Sequence, residues 1–456
     1  MSDYSLKERR IPLDDSWDVI VVGGGPAGCA AATASAREGA NTLLIEASAA
    51  LGGMGTLGLV PFFCGYDDGE KIIARGLAGR ILEVCRTIPH VAKDSKTRPL
   101  WPPAIDPELL KRTYDDMVTR AGASVLFHTQ LTAVEKSSPD RIDAVIVSNK
   151  SGLSALKASL YVDCTGDGDL AAWAGATFEK GDLSGQLQPS TLCFLITNVD
   201  DYNLEYGPQI WVGDPRSPIY KAVRSDKYPL IVDLHSCVMQ VGPSAWGFNM
   251  GHVYDVDNTN PVSLSNALVQ GRKMAAQYRD ALAEFHPAFA NSFLAATGAL
   301  MGIRETRRVI GDYVLNIEDY NARRSFPDEI CRNAYGIDVH QTRKDAMETA
   351  KRTPEANSAA DRNLPKHFAK GESMGVPYRC LTPRGLANLL VAGRCISTDR
   401  PVNGTIRIMP CCLNTGEAAG LAAALALRAD RDVHHVDTAQ LRTRLKAHGA
   451  FLPDAI

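Results

Sequence analysis

Apolar positions in this chain fall into short unbroken runs near both ends and into an irregular mixture between them. Val19–Val22 is an apolar run that leads into a glycine-rich turn and an alanine-rich stretch, and Thr42–Ile45 is the next, ending at Glu46. The order predicts strand, helix, strand. Asp106–Gly122 predicts a helix: Asp106 can cap it, Pro107 suits its first turn, Leu109, Leu110, Tyr114 and Met117 recur at helical spacing, and Gly122 ends it. Strand-like runs follow at Ser124–His128, Leu131–Glu135, Ile142–Ser148 and Leu156–Cys164, with polar turns between them, as in a small antiparallel meander. Residues 181–370 mix strands, aromatic residues and long polar loops, including the loop at 351–368, with a helix over Ser263–Phe285. The early texture then returns, with a strand at Asn388–Ala392, an alanine-rich helix over Asn414–Ala429 and a final amphipathic helix over Asp437–Gly449.

The first unit has the parts of a dinucleotide site. Gly23, Gly25 and Gly28, with Pro26 and Ala27 between the last two, give the G-x-G-x-x-G spacing directly after a strand. The first glycine allows the tight turn, the second lets backbone approach a pyrophosphate, and the third lets the helix pack on the sheet. Phosphate then lies at a helix N-terminus, where unpaired N–H groups and the helix dipole favour negative charge. Glu46, at the tip of the second strand, is placed to accept hydrogen bonds from a ribose and would repel a phosphorylated one. NAD and FAD both fit this unit. Gly52 and Gly53 in LGGMGT allow a second close backbone approach, and so does the turn Thr165–Gly166 that follows the last meander strand.

Composition narrows the class. A chain of 456 residues, 22% charged and 45% hydrophobic, is long enough for two or three domains of an ordinary globular protein. A net charge of -3 and the lack of a basic stripe interleaved with aromatics argue against nucleic acid as a partner. The start, residues 1–18, is polar and lacks the apolar core of a secretory signal, and the most apolar late stretch, Ala418–Leu427, is too short for a membrane span of about 20 residues. The cysteines show no paired or zinc-like spacing, so a reducing, cytoplasmic setting and no metal site are expected; Cys64, Cys411 and Cys412 are the thiols to watch.

Taken together, GGGPAG with Glu46, LGGMGT, VDCTGDGDLAAWAGA, QLQPSTLCF, GIRETRRVIGDYVL, GIDVH, VPYRCLTP, NLLVAGRCIST and CLNTGEAAGLAAALA resemble the FAD-dependent oxidoreductases of the glutathione-reductase-like superfamily, related to fumarate reductase flavoproteins. The resemblance implies an α/β fold with a Rossmann-like FAD-binding domain, a parallel sheet with a β-meander, and an inserted mixed α+β substrate domain. The expected divisions are 17–180 and 371–430 for the FAD-binding domain, 181–370 for the insert and 431–456 for a C-terminal helical segment. It also implies FAD as cofactor, held by Gly23, Gly25, Pro26, Ala27, Gly28 and Glu46 on its ADP half, with Gly53, Met54, Leu131, Thr165 and Gly166 in the same candidate set. Gly393 opens a segment like the second FAD motif, but Arg394 stands where an aspartate is commoner, which leaves Asp399 as the acidic candidate. Thr415, Gly416 and Glu417, at the expected start of the late helix, would face the pyrimidine end of the flavin.

No C-x-x-x-x-C follows the first glycine motif, so a dithiol mechanism is disfavoured, and the absence of a second glycine fingerprint argues against a dedicated NAD domain. Hydride transfer between flavin and a small polar organic substrate remains, with reoxidation by dioxygen, a quinone or another acceptor. An NAD(P)H-dependent flavin monooxygenase and a non-catalytic FAD-binding redox protein are the alternatives. The expected catalytic residues are His340 as proton donor or acceptor, Asp338 two residues away as its orienter on one strand face, Arg304 as a carboxylate anchor and Arg407 near flavin or substrate. His235 and His252 are weaker versions of the same idea, and an ion network through Arg304, Glu305 and Arg307 is the structural alternative. A homo-oligomer is left open.

Overall fold

The computed structural model describes residues 4, 7–89, 91, 96–362, 368–430 and 432–453. Of the polar start, the late polar loop and the C-terminal segment read from the sequence, residues 1–3, 5–6, 363–367, 431 and 454–456 lie outside the described ones. The central sheet has seven strands: β1 (Leu13–Val22), β2 (Thr42–Ile45), β3 (Ser124–Leu126), β4 (Gln130–Ser138), β5 (Arg141–Asn149), β6 (Gly152–Asp163) and the late strand Leu389–Val391. Their order is β3-β2-β1-β6-β5-β4, with Leu389–Val391 paired to the end of β6. β1 runs parallel to β2 in the register Val19↔Thr42 to Val22↔Ile45, and parallel to β6 up to Val22↔Asp163. Val19–Val22 and Thr42–Ile45 are buried throughout, as expected of parallel strands covered on both faces.

The expected meander includes only β4, β5 and β6, which pair antiparallel. β3 instead extends the parallel sheet beside β2, Leu43 facing Ser124. Three residues with an exposed and half-buried pattern look the same in either sheet, so the sequence pattern could not separate them.

Alanine richness has a packing cause. The helix Pro26–Arg37 lies against the long helix Met409–Ala429, and a Cβ on Gly416 or Gly420 would overlap the carbonyl oxygens of Ala27 and Ala31. Side chains larger than a methyl would push these backbones apart. Asp106 caps the helix Pro107–Arg120 by accepting from the N–H groups of Glu108 and Leu109, and its Tyr114 is fully buried beneath Gly52.

A second core gathers residues from Leu192 to Ile303, with Ala350, around an antiparallel sheet in the order Phe293–Thr297, Phe194–Thr197, Ala245–Met250, Ser236–Gly242, backed by the helix Pro261–Phe285. Val309, Leu315, Tyr320, Phe326 and Ile330 pack instead in the first core, so the expected insert 181–370 is shared between two cores. The last helix, Thr438–Ala447, capped by Asp437, buries Leu441 and Leu445 in the first core. Among the described residues, no single helix is long and apolar enough to cross a membrane.

Candidate functional site

Three glycine turns meet at the carboxyl ends of the parallel strands. Gly23 has φ +98° and packs so closely that a Cβ would sit 2.5 Å from the Cys164 carbonyl oxygen; a Cβ on Gly28 would overlap the Gly23 oxygen. Gly393, at φ +85°, lies where a Cβ would be 3.1 Å from the Ala27 Cβ. Among the described residues, none but the two chain neighbours lies within 4 Å of where a Cβ on Gly25 would sit, and no side chain caps the first turn of the helix that begins at Pro26. Uncapped N–H groups facing open space are what a pyrophosphate needs. A Cβ on Gly53 would come 3.1 Å from the Gly25 Cα, so the second glycine pair forms the opposite wall, and Met54 extends toward Gly302.

Glu46 holds this loop: its Oε2 accepts from Gly24 N at 2.6 Å and its Oε1 from Ser48 N at 2.8 Å. Thr129 N donates to the Glu46 carbonyl, which brings the head of β4, with buried Leu131, beside the same strand tip. Asp163 orders the Thr165–Gly166 turn by accepting from Thr165 N, Thr165 Oγ1 and Ala171 N. Burial outweighs these hydrogen bonds and pushes its carboxyl up to about 6.

The departure at Arg394 has a structural reason. Its guanidinium donates to Gly166 O, Ile303 O and Asp167 Oδ1, at 3.0, 2.9 and 2.6 Å, and so ties the second and third turns together. Asp399 does not supply a free acid. It caps the helix Arg400–Ile406, its Oδ1 accepting from Val402 N and its Oδ2 from Ile317 N.

Three further candidates move away from the expected flavin face. The late helix begins at Met409 and not at Asn414, so Thr415, Gly416 and Glu417 lie inside it. Thr415 Oγ1 accepts from Gly393 N, Gly416 is the contact with Ala27, and Glu417 pairs with Arg37 at 2.7 Å while accepting from Leu77 N. Ile408 stands at the N-cap with no side-chain hydrogen bond; Pro410, in the first turn, is the only sequence signal of this start. Glu417→Gln is expected to lower stability by about 1–3 kcal/mol by weakening a buried charged hydrogen bond. Thermal melting measures that loss, and the absorbance of bound flavin should stay unchanged; a moved flavin band would put Glu417 back at the cofactor.

Between the two cores lies a second constellation. Asp338 and His340 sit on a stretch with no regular secondary structure, not on the expected strand. Asp338 Oδ1 lies 3.2 Å from His340 Nε2, and Arg407 Nη2 donates to both the Asp338 carbonyl and its Oδ2, at 2.6 and 3.0 Å. His340 Nδ1 lies 2.8 Å from His252 Nε2, and His252 Nδ1 lies 3.2 Å from Asp233 Oδ2. Tyr254 Oη donates to the same Asp233 oxygen. Adjacent strands deliver two of these histidines, because Ser236 pairs with Met250 and so sets His235 and His252 at one end of the hairpin. The His235 ring stacks on His252 at 4.4 Å, and its buried Nδ1 has no hydrogen-bond partner among the described residues.

The sequence reading expected no cluster with ligand spacing, yet His235, His252 and His340 bring ring nitrogens within 4.8 Å of one another. The shortest of these separations, 2.8 Å, is a hydrogen bond and shorter than the spacing of two nitrogens that share a tetrahedral zinc, each at about 2.0–2.1 Å. Asp233 and Tyr254 were missed; the repeated Asp-x-His of Asp233–His235 and Asp338–His340 was the available signal.

Arg304 is buried beside this group, with Nη1 donating to Pro189 O and Thr191 Oγ1. Its neighbours in sequence turn elsewhere: Arg307 pairs with Asp169, and Glu305 with Arg308 and Arg400. Burial, then Arg304, push His340 down to about 3. Burial lowers His252 and, more strongly, His235, so all three rings are neutral at neutral pH. Burial opposes ionisation of Asp338, but the His340 contact and the cations of Arg407 and Arg304 outweigh it and hold the carboxyl below its ordinary range. Arg407, pushed down to about 10 chiefly by burial, stays charged. Burial raises the Cys64 thiol to about 12 and Cys237 to about 11, so neither supplies a thiolate. Cys411 and Cys412 are buried within the late helix.

A rim of backbone amides over an uncapped helix start, with a carboxylate at the neighbouring strand tip, suits a pyrophosphate and its ribose and puts the protein among dinucleotide-binding proteins. The chain belongs to the FAD dependent oxidoreductase family, whose model matches residues 18–445, and FAD is its cofactor. Similar solved structures include a geranylgeranyl bacteriochlorophyll reductase-like protein from Thermoplasma acidophilum, at 13% identity and TM-score 0.46, covering 96% of this chain and 83% of that one. p-Nitrophenol 4-monooxygenase from Pseudomonas putida matches at 12% and 0.44, over 98% and 88%. A triple mutant of a flavin-dependent brominase matches at 12% and 0.43, over 94% and 84%.

Proposed function

We propose that the enzyme moves a hydride between its flavin and a small polar organic substrate that carries an anionic group, bound between the two cores. The reading rests above all on one observation: a neutral, buried histidine, His340, is set between a carboxylate and a second imidazole, with two cationic arginines beside it. FAD, when bound, supplies the two-electron acceptor or donor. Arg304 and Arg407 attract and orient the anion. In the direction of substrate oxidation, the substrate's C–H bond is given up as hydride and its O–H or N–H proton passes to His340 Nε2, the ring nitrogen on the open side, where Asp338 keeps 40% of its side chain exposed. Asp338 orients the ring and stabilises the imidazolium. The first core, together with the residues that follow Val309, holds the cofactor, and the second core supplies the opposite wall of the substrate site. Dioxygen or a quinone is the proposed second acceptor, and a reducing, cytoplasmic compartment suits a chain whose cysteines are all free thiols, all but Cys64 and Cys237 buried.

Anaerobic mixing of the holoenzyme with hydroxy acids, sugars, amines and reduced nicotinamides tests this. Bleaching of the flavin by an anionic carbinol or amine is the expected result. Bleaching by reduced nicotinamide that a substrate stimulates would point to monooxygenase chemistry instead, and a flavin reduced by no donor would leave only a structural cofactor.

A further inference from the structure

Resting on that reading of His340, we infer that Asp233 and His252 are positioning residues of the same reaction, forming with His340 a buried relay that fixes which ring nitrogen receives the proton. Asp233 is flanked by His235 N, His252 N and Tyr254 Oη, all of which donate to it. Burial disfavours its charge, but the contact with His252 outweighs that, and its carboxyl lies below the ordinary range. Asp233 and Asp338 are both ionised and only accept, and two neutral rings hold two hydrogens, so one of the two carboxylate contacts goes without. The Asp233 side chain is 3% exposed and that of Asp338 40%, so only at Asp338 can solvent or substrate stand in, and His252 Nδ1 carries its hydrogen toward Asp233. A neutral His252 then has a bare Nε2, which accepts from His340 Nδ1–H across 2.8 Å. A neutral His340 is thereby left with a bare Nε2, facing Asp338 and the open side. Asp233, separated from the substrate by two histidines, sets the tautomer of the base.

The same count gives the capacity. Three contacts, Asp338–His340, His340–His252 and His252–Asp233, need three ring hydrogens, and two neutral imidazoles hold two. One proton taken at Nε2 completes the chain, and its charge is shared between two rings clamped by carboxylates at both ends. The charged and titratable groups facing the pair are Asp233, Asp338, Arg304, Arg407, His235 and Tyr254. The two carboxylates offset the two arginines, so the added proton leaves one net positive charge, held on the ring pair between the two carboxylates.

The test uses the holoenzyme labelled with ¹⁵N-histidine. At neutral pH, a scalar coupling across the hydrogen bond between His340 Nδ1 and His252 Nε2 is expected, with Nδ1 protonated on both rings. The coupling should vanish in His252→Gln and survive in His235→Gln, since His235 only stacks on the pair. In single-turnover flavin reduction, His252→Gln and Asp233→Asn should each slow the step at least about tenfold with little change in the substrate concentration giving half the rate. Nε2-protonated rings, no coupling, or a coupling whose loss leaves the rate intact would each overturn the relay. So would one equivalent of Zn²⁺ shifting all three rings together, which would make the cluster a metal site. A full rate in His340→Gln, together with the His340–His252 coupling in the wild type, would instead sink the substrate reading on which the relay rests.

Discussion

Gly28→Val is expected to yield a protein that purifies without flavin. A β-carbon at Gly28 would overlap the Gly23 carbonyl oxygen, and its nearest other neighbour is the Cys164 side chain. Both lie in fully packed structure, since Val19–Val22 is buried and Cys164 closes β6. The helix Pro26–Arg37 must therefore move away from the turn, and the N–H groups that point at the pyrophosphate move with it. Displacement also reaches the long helix, because Gly416 and Gly420 touch the other side of the same helix with no room to yield. Overpacking of this kind costs about 1–3 kcal/mol and lowers the melting temperature by roughly 2–4 °C per kcal/mol. The loss of cofactor is the larger effect, read as the ratio of flavin to protein absorbance after purification. Gly25→Ala is the internal contrast: among the described residues only the chain neighbours of Gly25 lie within 4 Å of where a Cβ would sit, so the fold should stand while a ligand's approach is hindered. Full flavin content in Gly28→Val would mean that the first glycine turn does not hold the dinucleotide.

How much was legible in the chain follows from how local each feature is. The strand, glycine turn, helix and acidic tip between Val19 and Glu46 are contiguous, and each part obeys a rule about its own neighbours, so their order in the sequence is their order in space. Asp106 and Asp437 could be read as caps for the same reason. The start of the long helix could not, because Ile408 offers no side-chain cap and the polar residues Asn414–Glu417, which resemble a helix start, are spent on Gly393, on Ala27 and on the Arg37 pair. Arg394 looked like a defect in a motif because its partners, Gly166 and Ile303, lie more than ninety residues away in the chain. The histidine pair is the extreme case. His252 and His340 are separated by 88 residues and come from different cores, one at the end of a hairpin and one on a stretch with no regular secondary structure. No periodicity links them; only the docking of the two cores does.

His340→Gln is expected to slow substrate-dependent flavin reduction by about 10²–10⁴-fold, the usual contribution of a positioned acid or base, while flavin content stays at the wild-type level. Glutamine preserves polar contacts toward Asp338 and His252 but cannot hold the proton, so the loss reports chemistry and not collapse of the pocket. The wild-type pH dependence carries a second mark. An ordinary histidine stops acting as a base as pH falls through about 6.5. Burial and then Arg304 hold His340 down to about 3, so its base form persists across that range and the acid limb of kcat/KM for substrate oxidation should lie well below 6.5. The same shift fixes a sign for stability. Unfolding releases His340 to its ordinary value, so between 6.5 and 3 the unfolded chain binds the additional proton, and its contribution to stability is complete above 6.5 and lost as pH falls toward 3. His340→Gln should therefore flatten part of the acid slope in a melting-temperature profile while the rate defect remains at every pH. An acid limb near 6.5 in the wild type, or a variant whose rate recovers at high pH, would remove His340 from the role of base.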